Sequence, residues 1–412
     1  MKHYTTIAIL SLLVFIFSSC KKHDDPIENG GISRCVLFYI VSENSLIGAD
    51  NEDVREILSV KSTLDKDDEI VIYDDNNRNP AIYTINKKTE GDMLSNLTPE
   101  YQYSEEHNSC TEASLTDFLN YVKINHPADS YAIVFWSHGS GWIPSQSSLD
   151  DQRYARRRSF GIDNGQNSDS NDGNQMSISA MYNALKSMNV VFDFIFFDAC
   201  FMQTIEVDYE LRNLAKYIIG SPAEIPGTGA NYSNGFTAAM FSETNYAQKM
   251  VELYYKAYVN NKDYGALVSV VDCSQLDKLA ASTARLVSVY HDELLSLSHD
   301  VQNYFDYNQY RWKAKLPDFY DMNAIFKSIL PSDEYDIWKG IFDLAVPFAY
   351  DTDFWVSAFP LDTKFLYSDH DQYGGVSMYI PFEKYTTDLY FAEDNKFFVE
   401  GFWESRWADD VW

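Results

Sequence analysis

Apolar positions along this chain gather into runs of two kinds, and the two most continuous runs organise it. Phe192 to Met202 (FDFIFFDACFM) is dense in aromatic and β-branched residues, which predicts a strand buried on both faces. At its end, in Asp198-Ala199-Cys200, polarity and a thiol appear together. Tyr131 to Trp136 (YAIVFW) has the same character and runs into Ser137-His138-Gly139-Ser140-Gly141-Trp142. In an open α/β sheet, chemistry sits beyond the carboxyl ends of the strands. If these two strands are parallel, they deliver a histidine and a cysteine to one sheet edge.

The remaining pattern fills in the elements around them. Cys35 to Ser42 and Glu69 to Tyr73 are further strands, and Ala81 to Asn86 alternates as an edge strand after the turn residues Asp74 to Pro80. Helical spacing covers Asp50 to Leu64, Cys110 to Ile124 with a cap at Thr111 or Ser109, Met176 to Met188 and Thr204 to Lys216. Glu206 and Asp208 on the last of these read as a solvated face. Tyr217 to Ser221 is a strand ending in Pro222-Ala223-Glu224-Ile225-Pro226-Gly227-Thr228-Gly229, which brings another loop to the same edge. Helix Ala247 to Val259, strand Ala266 to Asp272, helical Gln275 to Ser296 and a late strand within Tyr373 to Pro381 follow, and the tail carries Phe402, Trp403, Trp407 and Trp412. Strands alternating with helices predict an α/β fold with a mostly parallel central sheet flanked by helices. A first domain spans residues 34–270, and a helical/β C-terminal subdomain, 271–412, packs on it. Between the histidine and the next helix lies a long polar connection, Ile143 to Gln175, of a length that is functional or mobile in most domains. It holds Arg153, Arg156, Arg157 and Arg158, then the turn-rich run Asp163 to Asn174.

Composition narrows the class. The 412 residues, 45% hydrophobic and 16% aromatic, can bury a large core. The formal net charge of −29 repels phosphate backbones, so nucleic acid is excluded as a partner. The start combines Lys2, an apolar run from Ile7 to Phe17 and small residues before Cys20, the shape of a signal peptide over residues 1–19. Phe17-Ser18-Ser19-Cys20 resembles a bacterial lipobox, which implies lipidation of Cys20, a tether over 20–33 and attachment to the membrane of the cell envelope. Cys35, Cys110, Cys200 and Cys273 show no zinc spacing and demand no disulfide, so no metal ligand is assigned.

A thiol needs a base or an electropositive neighbour to ionise at neutral pH, and a histidine within reach supplies both. His138 and Cys200 are therefore the candidate catalytic pair. Gly139 lets a substrate backbone approach closely and can aim its N–H at a developing oxyanion beside the N–H of Cys200. Asp198 alternates with Cys200 on a strand period and so can line the pocket next to the nucleophile.

Ser137 to Trp142, Phe160-Gly161-Ile162-Asp163, Phe197 to Gln203 with Glu206, Ser221 to Glu224 with Pro226 to Gly229, and Gly375 to Pro381 together resemble the clostripain family of cysteine peptidases, in order over most of the chain. The resemblance implies a caspase-like sandwich, a His138/Cys200 dyad, cleavage of protein or peptide substrates after Arg or Lys, and Asp198 as an acidic contributor to the pocket for that side chain. It also implies a zymogen cut after the histidine, for which Arg153, Arg156, Arg157 and Arg158 are suitable sites. Some members of the family depend on calcium; the Asp163 to Asn174 run lacks an EF-hand register, so Ca2+ stays open as a cofactor without a ligand set. The expected protein is an envelope-anchored cysteine endopeptidase. The competing expectation is a non-catalytic surface lipoprotein that uses the fold to bind protein or glycan through its aromatic C-terminal half.

Overall fold

A computed structural model describes residues 32–76, 78–143, 159–165, 173–298, 300–304, 319–357, 363–366, 370–382, 399 and 401–412. Its centre is a nine-stranded sheet. In chain order the strands are β1 (Ile32–Val41), β2 (Asp68–Asp75), β3 (Ala81–Ile85), β4 (Tyr101–Gln102), β5 (Ala128–Trp136), the small pair β6 (Phe160–Asp163) and β7 (Asn174–Met176), β8 (Phe192–Asp198), β9 (Ala215–Gly220), β10 (Leu267–Asp272), the short β11 (Tyr320–Asp321) and β12 (Phe348–Asp351). The sheet order is β12-β10-β9-β8-β5-β1-β2-β3-β4. The five central strands, β9 to β2 in that order, are mutually parallel, and an antiparallel pair flanks them on each side.

Central parallel strands are covered on both faces, so their residues are apolar on both. One face packs Val36, Phe38, Val134, Phe194 and Phe196 against α1 (Ala49–Val60) and against Phe236, Met250 and Val251 further along the chain. The other packs Leu37, Tyr39, Phe135 and Phe197 against Phe118 of α2 (Glu112–Asn125), Leu185 of α3 (Ile178–Ser187) and Leu276 of helix Leu276–Val289. Phe402 and Trp407 of the tail are fully buried in this second layer, as core aromatics. Gly31–Trp412 forms one compact unit.

The structure refines several expectations. β3 is not the edge, because β4 pairs outside it with Tyr101 opposite Ile82. The helix expected over Thr204 to Lys216 is only α4 (Ile205–Leu211), capped by the Thr204 hydroxyl, because the sheet claims the chain again at Ala215. Met176 closes β7, and α3 starts two residues later with Ser177 as its cap; Thr111 caps α2. The late strand shrinks to Ser377–Met378, paired with β11. Glu206 and Asp208 are a correction: both are buried, since the C-terminal chain lies over α4 and Tyr379 N–H donates to Glu206 Oε1 at 2.8 Å. Burial pushes Glu206 up to about 7, and burial together with the charge of Glu206 pushes Asp208 well above the usual carboxylate range.

Candidate active site

β5 and β8 are neighbours, parallel and in register, with Trp136 opposite Asp198. His138 and Cys200 each lie two residues beyond that pair, so the sheet itself brings them to one edge. Two glycines let the chain segments close up there. A Cβ on Gly139 would lie 2.6 Å from the Cys200 carbonyl oxygen, and one on Gly141 would lie 2.7 Å from that of Phe201. The His-Gly-Ser-Gly segment is thus the backbone-on-backbone bed of the cysteine turn. Phe201 completes that turn at φ 61°, a left-handed conformation that is costly for a bulky residue. Its N–H bond to the Ala223 carbonyl and its ring against Phe319 hold it there.

This turn alters one expectation. β8 stops at Asp198, so the strand alternation does not continue to Cys200, which lies in the turn with its side chain partly buried. Thiol and carboxylate both meet the loop that follows β9. Ile225 N–H donates to Cys200 Sγ at 3.4 Å, and the thiol in turn reaches the Ile225 carbonyl at 4.0 Å. Asp198 accepts from Ala230 N–H at 3.1 Å and from the Tyr232 hydroxyl at 2.7 Å. Gly229, at φ 54°, has room only for a hydrogen, since a Cβ would fall 2.7 Å from Asp198 Oδ2.

The imidazole of His138 has a partner that sequence reading does not supply. Ser45, in the loop after β1, places its hydroxyl 2.9 Å from His138 Nε2. Gly139 forms an antiparallel bridge with Phe160 of β6, whose two bonds are Gly161 N–H to the His138 carbonyl (2.8 Å) and Ser140 N–H to the Ser159 carbonyl (3.0 Å). The N–H of Gly139 takes part in neither bond.

Beneath the loop after β9 the surroundings are acidic. Burial lifts Asp198 to about 6 despite its hydrogen bonds. Asp53 of α1 accepts from Trp136 Nε1 at 2.7 Å and is pushed up to about 9 by burial and then by Asp198. Glu56, one turn on, accepts from Tyr232 N–H at 2.7 Å. Asp53 and Glu56 are spaced three apart on a helix, a signal that marks a shared face and nothing more specific. Cys35, Cys110 and Cys273 are buried free thiols raised well above the usual range, chiefly by burial. Arg153, Arg156, Arg157, Arg158 and Cys20 lie outside the described residues.

Comparison with known proteins matches residues 38–339 to the family model described as the clostripain family. A secreted C11 cysteine protease from Bacteroides thetaiotaomicron, solved with an irreversible peptide inhibitor, is 28% identical with a TM-score of 0.70, over 88% of this chain and 99% of that one. An inactive zymogen C11 protease from Parabacteroides distasonis is 26% identical with a TM-score of 0.73, over 92% and 98%. A second secreted C11 protease from B. thetaiotaomicron, 17% identical with a TM-score of 0.69, over 93% and 100%, shares the fold. No curated protein matches the chain.

Proposed function

Since this chain belongs to the clostripain family and is a cysteine peptidase of caspase-like fold, we propose that it is an endopeptidase cutting after arginine or lysine, with Cys200 as nucleophile and His138 as general acid and base. The observation that supports the assignment is the register of β5 and β8, in which Trp136 lies opposite Asp198 and His138 and Cys200 each follow two residues later. The Cys200 thiolate attacks the scissile carbonyl carbon, and the N–H groups of Gly139 and Cys200 stabilise the oxyanion. His138, held at Nε2 by Ser45, gives its proton to the leaving amine as the tetrahedral intermediate collapses to the acyl-enzyme. It then takes a proton from the water that hydrolyses the thioester, which restores the free thiolate and the imidazolium.

Asp198 supplies the acidic character of the pocket, with Asp53 and Glu56 behind it. A guanidinium reaching this side of the edge favours ionised Asp198, and its planar fork suits a carboxylate better than an ammonium does. Autoprocessing at Arg153, Arg156, Arg157 or Arg158 and anchoring of the mature chain through a lipid on Cys20 complete the proposal. Among the described residues no helix is long and apolar enough to cross a membrane.

The test of specificity is a peptide library profiled with wild type and Asp198→Asn. Arginine should lead at P1 and lysine follow. Because Asp198 gains a proton as pH falls through about 6, KM for arginine substrates should climb below that pH in wild type and stay flat in Asp198→Asn. A preference for acidic or apolar P1 residues would overturn the pocket assignment.

A further inference from the structure

Three buried tyrosines stand on the Asp198 side of the sheet edge. Phe196 and Asp198 are two apart on β8 and face the same way, and Phe196 packs in one layer with Tyr232, from the loop after β9, and with Tyr254 and Tyr258 of helix Tyr246–Tyr258. Two of the three hydroxyls are engaged within the protein. Tyr232 donates to Asp198 Oδ2 at 2.7 Å, and Tyr258 donates to the Gly229 carbonyl and meets the Thr228 hydroxyl at 2.9 Å. Tyr254 is 2% exposed, and its hydroxyl has no hydrogen-bond partner among the described residues.

The Tyr254 ring lies 6.5 Å from that of Phe196 and 5.5 Å from that of Tyr258 between centroids, which sets it deeper beneath the edge than Asp198. Burial first, and then the charges of Tyr258, Asp198, Cys200 and Asp53, raise the hydroxyl well above the ordinary tyrosine range. It therefore stays neutral, within electrostatic reach of both the proposed nucleophile and the pocket acid. Resting on the reading of Asp198 as the acid of a pocket for basic side chains, we infer that Tyr254 is a second specificity-determining residue of that pocket: its hydroxyl accepts a hydrogen bond from the outer N–H of a bound guanidinium and so selects arginine over lysine.

A buried hydroxyl without a partner destabilises the free protein, and native structures hold few of them. A partner brought by the substrate accounts for this one. The guanidinium carries five N–H donors, of which a carboxylate fork engages two. The others enter a pocket walled by aromatic rings, where a donor left unpaired costs affinity. A neutral phenol oxygen beyond Asp198 has a lone pair for one of them. Lysine ends in a compact, strongly hydrated head and gains less from an acceptor placed deeper than the carboxylate.

The test is Tyr254→Phe, which removes only the phenol oxygen, assayed beside wild type and Asp198→Asn on two peptides that differ only in arginine or lysine at P1. In Tyr254→Phe, kcat/KM for the arginine peptide should fall roughly tenfold, mainly through KM, and that for the lysine peptide should change by no more than about twofold. Its Tm should equal or exceed that of wild type, because an unpaired buried hydroxyl has gone. Asp198→Asn should weaken both peptides. An unchanged arginine-to-lysine ratio in Tyr254→Phe, a lowered Tm with equal loss on both peptides, or a wild-type preference for lysine would overturn the inference and leave the basic pocket standing. Cleavage of neither peptide by wild type would remove the pocket reading itself, and this inference with it.

Discussion

In the proposed dyad, what sets the Cys200 thiol apart from the three buried ones is His138, whose Nε2 has the Ser45 hydroxyl at 2.9 Å. Replacing Ser45 with Ala removes one hydrogen bond to Nε2, worth about 1 kcal/mol, so kcat should fall roughly five- to tenfold. KM should hardly move, the acid limb of the kcat profile should shift, and Ser45→Thr should restore most of the rate. Unchanged kinetics in Ser45→Ala would show that the imidazole is positioned by something else. Ser45 was invisible in the sequence, because nothing in its neighbourhood hints at a residue 93 positions away. His138, Gly139 and Cys200 were legible, since each stands at the end of an unmistakable buried run.

Among the elements, the parallel strands read well for a simple reason: burial on both faces leaves a continuous apolar signature that needs no partner to be recognised. Helices read less well where tertiary demands override periodicity. α4 ends early to free Ala215 for the sheet, and its Glu206 and Asp208 are covered by chain that arrives from positions 377–379, so a local pattern marks them as solvated. The connection after His138 belongs to this scale too. If the site accepts arginine as proposed, Arg153 to Arg158, which follow His138 closely in the chain, are present at high effective concentration, which favours self-cleavage over cleavage of dilute substrates. Purified wild type should run as two associated fragments with new termini between Arg153 and Ser159, and Cys200→Ala should stay a single chain. An intact wild-type enzyme with full activity would dismiss processing and leave the peptidase assignment standing.

For the molecule as a whole, charge sets the conditions. Asp198 and Asp321 are lifted to about 6, and Asp74 and Glu206 to about 7, mainly by burial, from ordinary values of 3.8 for the aspartates and 4.5 for the glutamate. Folded chains therefore hold protons at pH values where unfolded chains have released them. With the native state binding more protons, stability declines as pH rises from about 4 to about 7. Tm should be higher near pH 5 than near pH 7.5, and Glu206→Gln should flatten part of that difference. A Tm that increases over the same interval would mean these carboxylates are ionised in the fold.

The dyad itself is tested most directly by the turnover of an arginine peptide substrate by Cys200→Ala, measured on protein whose circular dichroism matches wild type. Cys200 lies in a turn beyond the end of β8, which an alanine can occupy without disturbing β5 or β8, so the fold should be kept while turnover disappears. Turnover near the wild-type rate would contradict the assignment of Cys200.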